Sequence, residues 1–226
     1  EEHSDTLIAS TGKRGLLPVA AIYGPNGGGK SSVLQAFDAL RSYLVLPDLL
    51  FRRSNEKPPT VVCEPYAFDA DSVSEPTTFC VIFEAGDYEY RYILSVDNGI
   101  VVEEYLHRKK PGRGAQATIF ERANGKVTLG YALSRKSINA DVDSMMPYFA
   151  FLAINYDFDF IEEPFDWFRH CQVLDYSAPL IEEYYAEPKT AEGRAAVVDM
   201  LNRMDIGIDD IRFQHGGGGE LEGIFL

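Results

Sequence analysis

The stretch LLPVAAIYGPNGGGKSS, residues 16–32, decides how the rest of the chain is interpreted. Its first eight residues form an apolar run with small and β-branched members, which is typical of a buried strand in a parallel sheet. A glycine-rich turn follows, and after it the apolar residues recur at helical spacing. We therefore predict a strand over residues 16–23, a turn, and a helix over residues 31–46 that ends at Pro47.

The turn and the helix start match the pattern G-x-x-x-x-G-K-[ST] without exception. Glycines let consecutive backbone N–H groups turn toward one phosphate, and a helix N-terminus adds free amides and the positive end of its dipole. In this pattern Lys30 brings a positive charge to the β- and γ-phosphates of a nucleotide, and Ser31 offers a hydroxyl to Mg²⁺. An accidental Lys-Ser after a glycine-rich turn is disfavoured, because the pattern stands between a predicted strand and a predicted helix. The predicted nucleotide-binding residues are Gly24, Pro25, Asn26, Gly27, Gly28, Gly29, Lys30, Ser31 and Ser32, with Ser31 as the Mg²⁺ ligand.

The length and composition of the chain limit its number of domains, its partners and its compartment. The 226 residues permit one large domain or two small ones, and the net charge of −14 disfavours binding of nucleic acid through the bulk surface. The local basic segment HRKKPGR, residues 107–113, is either a polyanion contact or a solvated hairpin loop, and we favour the loop. Three cysteines without pairing or metal-ligand spacing indicate a reducing, cytoplasmic compartment. No signal peptide and no apolar run of about 20 residues is present, so no membrane partner is expected.

An antiparallel β-meander is predicted over the middle of the chain. Strand patterns cover residues 78–84, 88–96, 100–107, 117–122 and 126–129, and Gly86-Asp87, Asn98-Gly99 and Asn124-Gly125 stand between strands that follow one another. Glu103 and Glu104 fall in this region without a His or Cys partner, so we expect a structural role for the region. Helices are predicted around residues 145–154, 163–174 and 190–204, and a strand over residues 206–213.

A hydrolytic site is not evident from the sequence. Phosphate release needs a carboxylate at the end of an apolar strand, and Asp159, Glu162 and Asp175 do not follow such a strand. The run GGGGE at residues 216–220 has only a superficial similarity to an ABC-type signature. The catalytic residues therefore stay unassigned.

The stretch IYGPNGGGKSS resembles the first nucleotide motif of ABC-type ATPases of the SMC, RecF and OLD-like group. It is most similar to the AAA-family ATP-binding proteins of abortive-infection and other anti-phage defence systems. Weaker similarities, among them PTTFCVIF, DYEYRYILSV and RMDIGIDDIRF, extend over nearly the whole chain. The resemblance implies an α/β fold, with a P-loop NTPase core of ABC-ATPase type, an antiparallel β-subdomain and additional helices. It also implies ATP and Mg²⁺ as ligands, and Asn155 or Gln172 as the glutamine-loop residue.

The resemblance further implies that residues 1–226 are the N-terminal part of an ABC-type ATPase domain, with the signature and carboxylate motifs beyond them. We divide the chain into residues 1–60 with the P-loop, 61–130 with the β-subdomain, and 131–226 with helices and a returning strand. The expected function is ATP binding, with hydrolysis in the completed domain that drives a defence or DNA-transaction effector. A P-loop kinase and a nucleotide-binding module without turnover are the alternatives; a GTPase-like switch would need an N/T-K-x-D motif, which is absent. The expected partners are a second copy, or a higher oligomer, through the ATPase domain, an effector protein, and nucleic acid only at a local site.

Overall fold

The structure is a computed structural model. It describes residues 16–53, 72, 75–112, 114–174, 190–203, 207–215 and 221–225, with backbone alone for 48–53, 213–215 and 221–225. The chain divides into two compact units, Glu1–Val173 and Leu174–Leu226, and each is described by itself. The described elements of the first unit are α1 Lys30–Arg53, β1 Thr77–Ala85, β2 Tyr88–Asp97, β3 Ile100–Lys109, β4 Ala117–Ala123, β5 Lys126–Leu129, α2 Tyr131–Ser134, α3 Tyr148–Asn155 and α4 Asp159–His170. Those of the second unit are α5 Ala191–Arg203, β6 Arg212–His215 and β7 Leu221–Phe225.

The predicted β-meander is confirmed. The five strands lie in the order β1-β2-β3-β4-β5, and each pairs antiparallel with the next. Both Asn-Gly pairs have left-handed backbone angles, with φ of 48° at Asn98 and 81° at Gly99, and 52° at Asn124 and 72° at Gly125. Two consecutive positive φ angles are the signature of a type I′ turn, whose twist matches that of the flanking strands.

One face of the sheet carries the core of the first unit. Alternate residues of β2, namely Tyr90, Tyr92 and Leu94, are fully buried on this face, as the period of two requires. Helices α3 and α4 contact this face, and α1 packs against these two helices. Aromatic side chains make much of the contact: the Phe83 ring stacks on Trp167 with ring centroids 4.4 Å apart. The opposite face is mostly polar and partly exposed.

A buried carboxylate, which the sequence patterns do not predict, joins this sheet to helix α3. Glu104 is fully buried; its Oε1 accepts hydrogen bonds from the Tyr92 hydroxyl (2.9 Å) and the Phe149 amide (2.9 Å). Its Oε2 accepts a hydrogen bond from the Tyr148 amide at 2.6 Å and lies 4.0 Å from the Arg122 guanidinium. Desolvation raises the pKa of Glu104, and the hydrogen bonds to the carboxylate oppose that rise. The carboxylate therefore satisfies the first amides of α3, whose own N-cap residue, Pro147, makes no side-chain hydrogen bond.

Helix α1 begins where predicted but does not end at Pro47. It extends to Arg53, with Pro47 buried inside it. A proline removes one backbone donor, and burial of the preceding turn offsets that loss: Leu44 and Val45 are 0% and 3% exposed. The N-terminal half of α1 is different, since Val33 and Leu34 are 57% and 51% exposed.

The prediction of a buried parallel strand over residues 16–23 is wrong for this structure. Only Leu16 forms a β-bridge, and the residues after it have no strand conformation. Val19, Ile22 and Tyr23 are 79%, 59% and 90% exposed. The physical reason is the lack of a neighbour: in the described part of the chain both sheets are antiparallel, and neither includes this segment.

The remaining predictions of helices and strands are confirmed in part. Helices near residues 145–154, 163–174 and 190–204 are confirmed as α3, α4 and α5, with α4 beginning four residues earlier than predicted. The strand predicted over residues 206–213 is wrong, because β6 begins only at Arg212. The Asn202 side chain bonds both the N–H and the C=O of Ile208, at 3.0 and 2.9 Å, so the backbone of Ile208 bonds a side chain instead of a neighbouring strand. No helix in the described residues is long and apolar enough to cross a bilayer.

Candidate nucleotide-binding loop

The glycine-rich turn has the backbone geometry that its sequence predicts. Gly27 and Gly29 have φ angles of 77° and 78°, a region that side chains with a Cβ rarely occupy. Between them, the Gly28 amide donates to the Pro25 carbonyl at 3.1 Å, which closes the turn. The Val33 amide donates to the Gly29 carbonyl at 3.3 Å, so the helix starts directly from the turn. The loop is thus a reversal of the chain that ends in a helix N-terminus.

Lys30 is the first residue of α1, and its side chain folds back over the turn. Its ammonium group donates hydrogen bonds to the Gly24 carbonyl at 2.9 Å and the Pro25 carbonyl at 2.6 Å. The positive charge is therefore held at the mouth of the loop by the backbone itself. An anion that enters the loop meets this charge without a large movement of the side chain.

The amides at the start of α1 remain available to a ligand. In the described residues, the amides of Gly29, Lys30 and Ser31 have no hydrogen-bond acceptor. The first turn of the helix contains no acidic residue that would compete for them. The loop glycines, Ser31 and Ser32 are exposed, so the two hydroxyls are open to solvent. Free amides and a positive dipole end without a competing carboxylate suit a phosphate group.

The structure does not bring the other candidate residues into this loop. The side-chain amide of Asn155 donates to Phe151 in its own helix at 2.9 Å, and Gln172 is exposed. Asp159 is exposed at the start of α4, and Glu162 pairs with Arg169 at 3.1 Å. Asp175 and residues 216–220 lie outside the described residues. The described residues also contain no cluster of His, Cys, Asp or Glu that could hold a metal ion.

The described part of the basic segment, residues 107–112, lies at the end of β3 and in the turn after it, and its lysine and arginine charges are paired or stacked. Lys109 lies 2.8 Å from Glu89 on the neighbouring strand. Lys110 lies 3.5 Å from Asp87. The Arg108 guanidinium lies over the Tyr88 ring, 4.4 Å from its centroid. Charges that are paired or stacked in this way favour the hairpin interpretation over a polyanion contact.

A glycine-rich turn that enters a helix at a Lys-Ser pair defines the class of P-loop proteins. The sequence profile of the family described as "AAA domain, putative AbiEii toxin, Type IV TA system" matches residues 19–195, more than half of the chain. The chain belongs to this family of AAA domains. No curated protein and no solved structure matches the chain.

Proposed function

We propose that the chain binds ATP together with Mg²⁺ at the loop formed by residues 24–32. The observation that carries the proposal is the position of the Lys30 ammonium over the turn, 2.6 Å from the Pro25 carbonyl, beside amides that have no acceptor in the described residues. Membership of an AAA-domain family supports nucleotide as the ligand.

Each part of the loop has a separate task in this proposal. The amides of Gly29, Lys30 and Ser31 donate hydrogen bonds to the phosphate oxygens, because N–H donors and the helix dipole both favour an anion there. Lys30 exchanges its contacts with the two carbonyls for contacts with phosphate oxygens. The Ser31 hydroxyl provides an oxygen ligand for Mg²⁺, which neutralises phosphate charge when it is bound. ATP is favoured over GTP because the sequence has no N/T-K-x-D motif for reading guanine.

The direct test is Lys30→Ala, measured by calorimetry with ATP and Mg²⁺. A charge-assisted contact contributes about 1.5–3 kcal/mol, so affinity should fall by roughly 10-fold or more. Lys126→Ala is the matched control, because Lys126 is an exposed lysine at the far edge of the sheet. Equal affinity in both variants would reject the loop as the nucleotide site. Ser31→Ala should instead reduce the dependence of binding on Mg²⁺ in a paired titration with and without the metal.

The exposed segment before the loop supports an ABC-type core as the complete arrangement. Leu17, Val19 and Ile22 are apolar and more than half exposed, and they precede a P-loop, whose usual context is a strand in a sheet. We propose that this segment pairs within a parallel sheet in the complete domain. Hydrogen exchange of residues 16–23 tests this: protection in the full-length protein, absent in residues 1–226 alone, is the expected result. Unprotected amides in both proteins would contradict it.

Hydrolysis by residues 1–226 alone should be very slow. The loop, Lys30 and Ser31 supply only part of the charge neutralisation that phosphoryl transfer needs, and no water-orienting carboxylate is assigned. Phosphate release measured over hours, with Lys30→Ala as the baseline, is the test. Brisk release that depends on Lys30 would show that a catalytic carboxylate is present in this chain.

A role in defence rests on the family description alone, which names a toxin of a type IV TA system. We propose that nucleotide-dependent assembly of ATPase domains drives an effector in such a system. Growth arrest or phage resistance on expression of the full-length protein, lost in Lys30→Ala, is the expected result. An equal phenotype in both would separate the effector from nucleotide binding.

A further inference from the structure

The face of the five-stranded sheet that points away from the helices, here called the outer face, carries a small cleft. Residues of β1, β2, β3 and the segment before β4 line it, namely Ile82, Glu89, Arg91, His107, Arg108, Lys109 and Gln116. Its volume is about 100 Å³, well below the roughly 300–1,000 Å³ of sites for cofactors and drug-sized ligands. The cleft is therefore of a size for a small ion or a few water molecules.

The charge of this cleft is positive, although the chain as a whole carries −14. Three of the lining residues are arginine or lysine and one is glutamate, which gives +2 with His107 neutral. The glutamate is already paired, since Glu89 lies 2.8 Å from Lys109. In the described residues the Arg91 side chain forms no ion pair and no hydrogen bond. The cleft therefore contains a guanidinium charge without a counter-charge.

Arg91 also faces a second side chain that can become positive. It is the register partner of His107 on β3, and like charges directly opposite each other in a sheet are unfavourable. Burial lowers the pKa of His107, Glu121 opposes that change, and Arg91 adds to it. An anion between Arg91 and His107 would offset this repulsion and favour the charged form of the ring.

The contacts of the His107 ring fix its orientation and leave one of its nitrogens available. The residue is 9% exposed, and its ring stacks on Tyr105 with the two planes 10° apart. Its Nδ1 lies 3.3 Å from the Thr118 hydroxyl oxygen. Its Nε2 has no hydrogen-bond partner in the described residues, because Glu121 Oε1 at 4.0 Å is beyond hydrogen-bond distance. An oriented ring with a free nitrogen can donate a hydrogen bond to a bound anion.

We propose that the cleft binds one oxyanion of the phosphate class, as the free ion or as the phosphate group of a small monoester, between Arg91 and His107. The guanidinium supplies charged N–H donors in a fork that matches two oxygens of the anion. The His107 ring and the side-chain amide of Gln116 are further donors in the lining. Donors from three segments of the chain suit a tetrahedral ion better than a planar carboxylate. The site takes a single anion, so it differs from a polyanion contact, and it shares no residue with the loop at residues 24–32.

The test follows the imidazole signals of His107 by NMR while inorganic phosphate is added to the 226-residue chain at constant ionic strength. Phosphate should shift these signals and raise the pKa of His107, because a nearby anion favours the charged ring. The exposed His170 ring is the internal control and should respond much less. The variant His107→Gln assigns the signals.

Variants of Arg91 test which charge holds the anion. Arg91→Gln removes the unpaired charge, so half of the shift should require at least about tenfold more phosphate. Arg91→Lys keeps the charge without the fork, so its effect should be smaller. Lys126→Gln is the matched control, because it removes one positive charge from an exposed position at the edge of the same sheet. Arg91 is exposed, so the circular dichroism spectra of its variants should be unchanged.

Glycerol 3-phosphate, added in place of inorganic phosphate, distinguishes the two sources of the anion. An equal or stronger response shows that a monoester fits, and a response to inorganic phosphate alone identifies the free ion; both results support the site. The proposal is overturned if phosphate shifts His107 no more than His170, or if Arg91→Gln responds like Lys126→Gln. It is also overturned if the response disappears in Lys30→Ala, because that outcome places the anion at the nucleotide loop.

Discussion

The two halves of helix α1 belong to two regions that are stabilised in different ways. The packed body comprises β1 to β5, α3, α4 and the C-terminal half of α1, where Leu44 is fully buried. The loop segment, residues 16–34, contains Leu34 on the same helix, 51% exposed. Side-chain packing determines the structure of the body, whereas glycine dihedral angles and one lysine determine that of the loop. The difference shows that a binding loop can be formed locally while the apolar residues around it stay uncovered.

The largest effect is expected inside the body, at Glu104. Glu104→Ala removes the acceptor of the Tyr92 hydroxyl and of two α3 amides, and leaves Arg122 without its carboxylate. Breaking a buried pair of this kind costs about 3–5 kcal/mol, measured by urea unfolding. Glu103→Ala, at the exposed neighbouring position, should change stability by less than about 0.5 kcal/mol. Similar small effects for both variants would mean that the carboxylate network does not stabilise the body.

The next-largest effect on stability should differ between the two halves of helix α1. Leu44→Ala should lower the free energy of unfolding by about 2–5 kcal/mol, because it opens a cavity in the core. Leu34→Ala should change it by less than about 0.5 kcal/mol. Thermal and urea unfolding of the two variants measure the difference. A comparable loss in Leu34→Ala would show that the loop segment is packed in solution, and the comparison between the two regions would fail.

A smaller effect is expected in the loop and should be seen in binding instead of stability. Gly29→Ala forces a Cβ into the left-handed region, where the strain is about 1–2 kcal/mol. ATP affinity should fall by roughly 10-fold while the urea midpoint of the body changes little. Gly207→Ala is the control, because Gly207 lies outside the loop and its Cβ would meet no atom within 4 Å. Equal affinities in the two variants would contradict a role for the Gly29 dihedral angle.

The smallest effect concerns pH. Burial raises the pKa of Glu104 in the folded protein above its unfolded value. At pH values between the two pKa values, folding therefore takes up a proton. The contribution of Glu104 to the free energy of unfolding is fully present below its unfolded pKa and is lost as pH rises through its folded pKa. Glu104→Gln does not titrate, so the stability of the parent relative to this variant should decrease as pH rises from about 4. A difference that increases with pH would mean that Arg122 and the hydrogen bonds outweigh desolvation.

The β-meander could be predicted because its signals are local. Asn98-Gly99 and Asn124-Gly125 adopt positive φ with little strain. The alternation of apolar and polar residues along β2 identifies the buried face of the sheet. The nucleotide loop could also be predicted from a local sequence motif, and its glycines have the positive φ angles that the motif requires. The identity of its ligand stays a prediction. Glu104 was missed although a signal existed, since residues 104 and 106 of β3 share one face and Leu106 is a core residue.

The wrong predictions share one cause, because each depends on residues outside the segment from which the prediction was made. An apolar run such as residues 16–23 indicates a buried strand only if another strand lies beside it, and nothing in the run itself provides one. Pro47 was taken as a helix end from its chemistry alone, but burial of Leu44 and Val45 in the core outweighs one lost hydrogen bond. The prediction of a strand over residues 206–213 was wrong because the Asn202 side chain, which lies before this segment, bonds both backbone groups of Ile208.

The carboxylate of Glu104 also bears on the order in which the polypeptide can acquire structure as it leaves the ribosome. Helix α3 has eight residues and no acidic residue in its first turn, so it is too short to persist alone in water. The group that caps it is encoded forty-four positions earlier, in a hairpin closed by Asn98-Gly99. At about 5–20 residues per second, that hairpin has some 2–9 seconds to form before Tyr148 is synthesised. The nascent helix therefore meets a ready-made acceptor for its first amides, and sheet-first folding follows from the direction of translation.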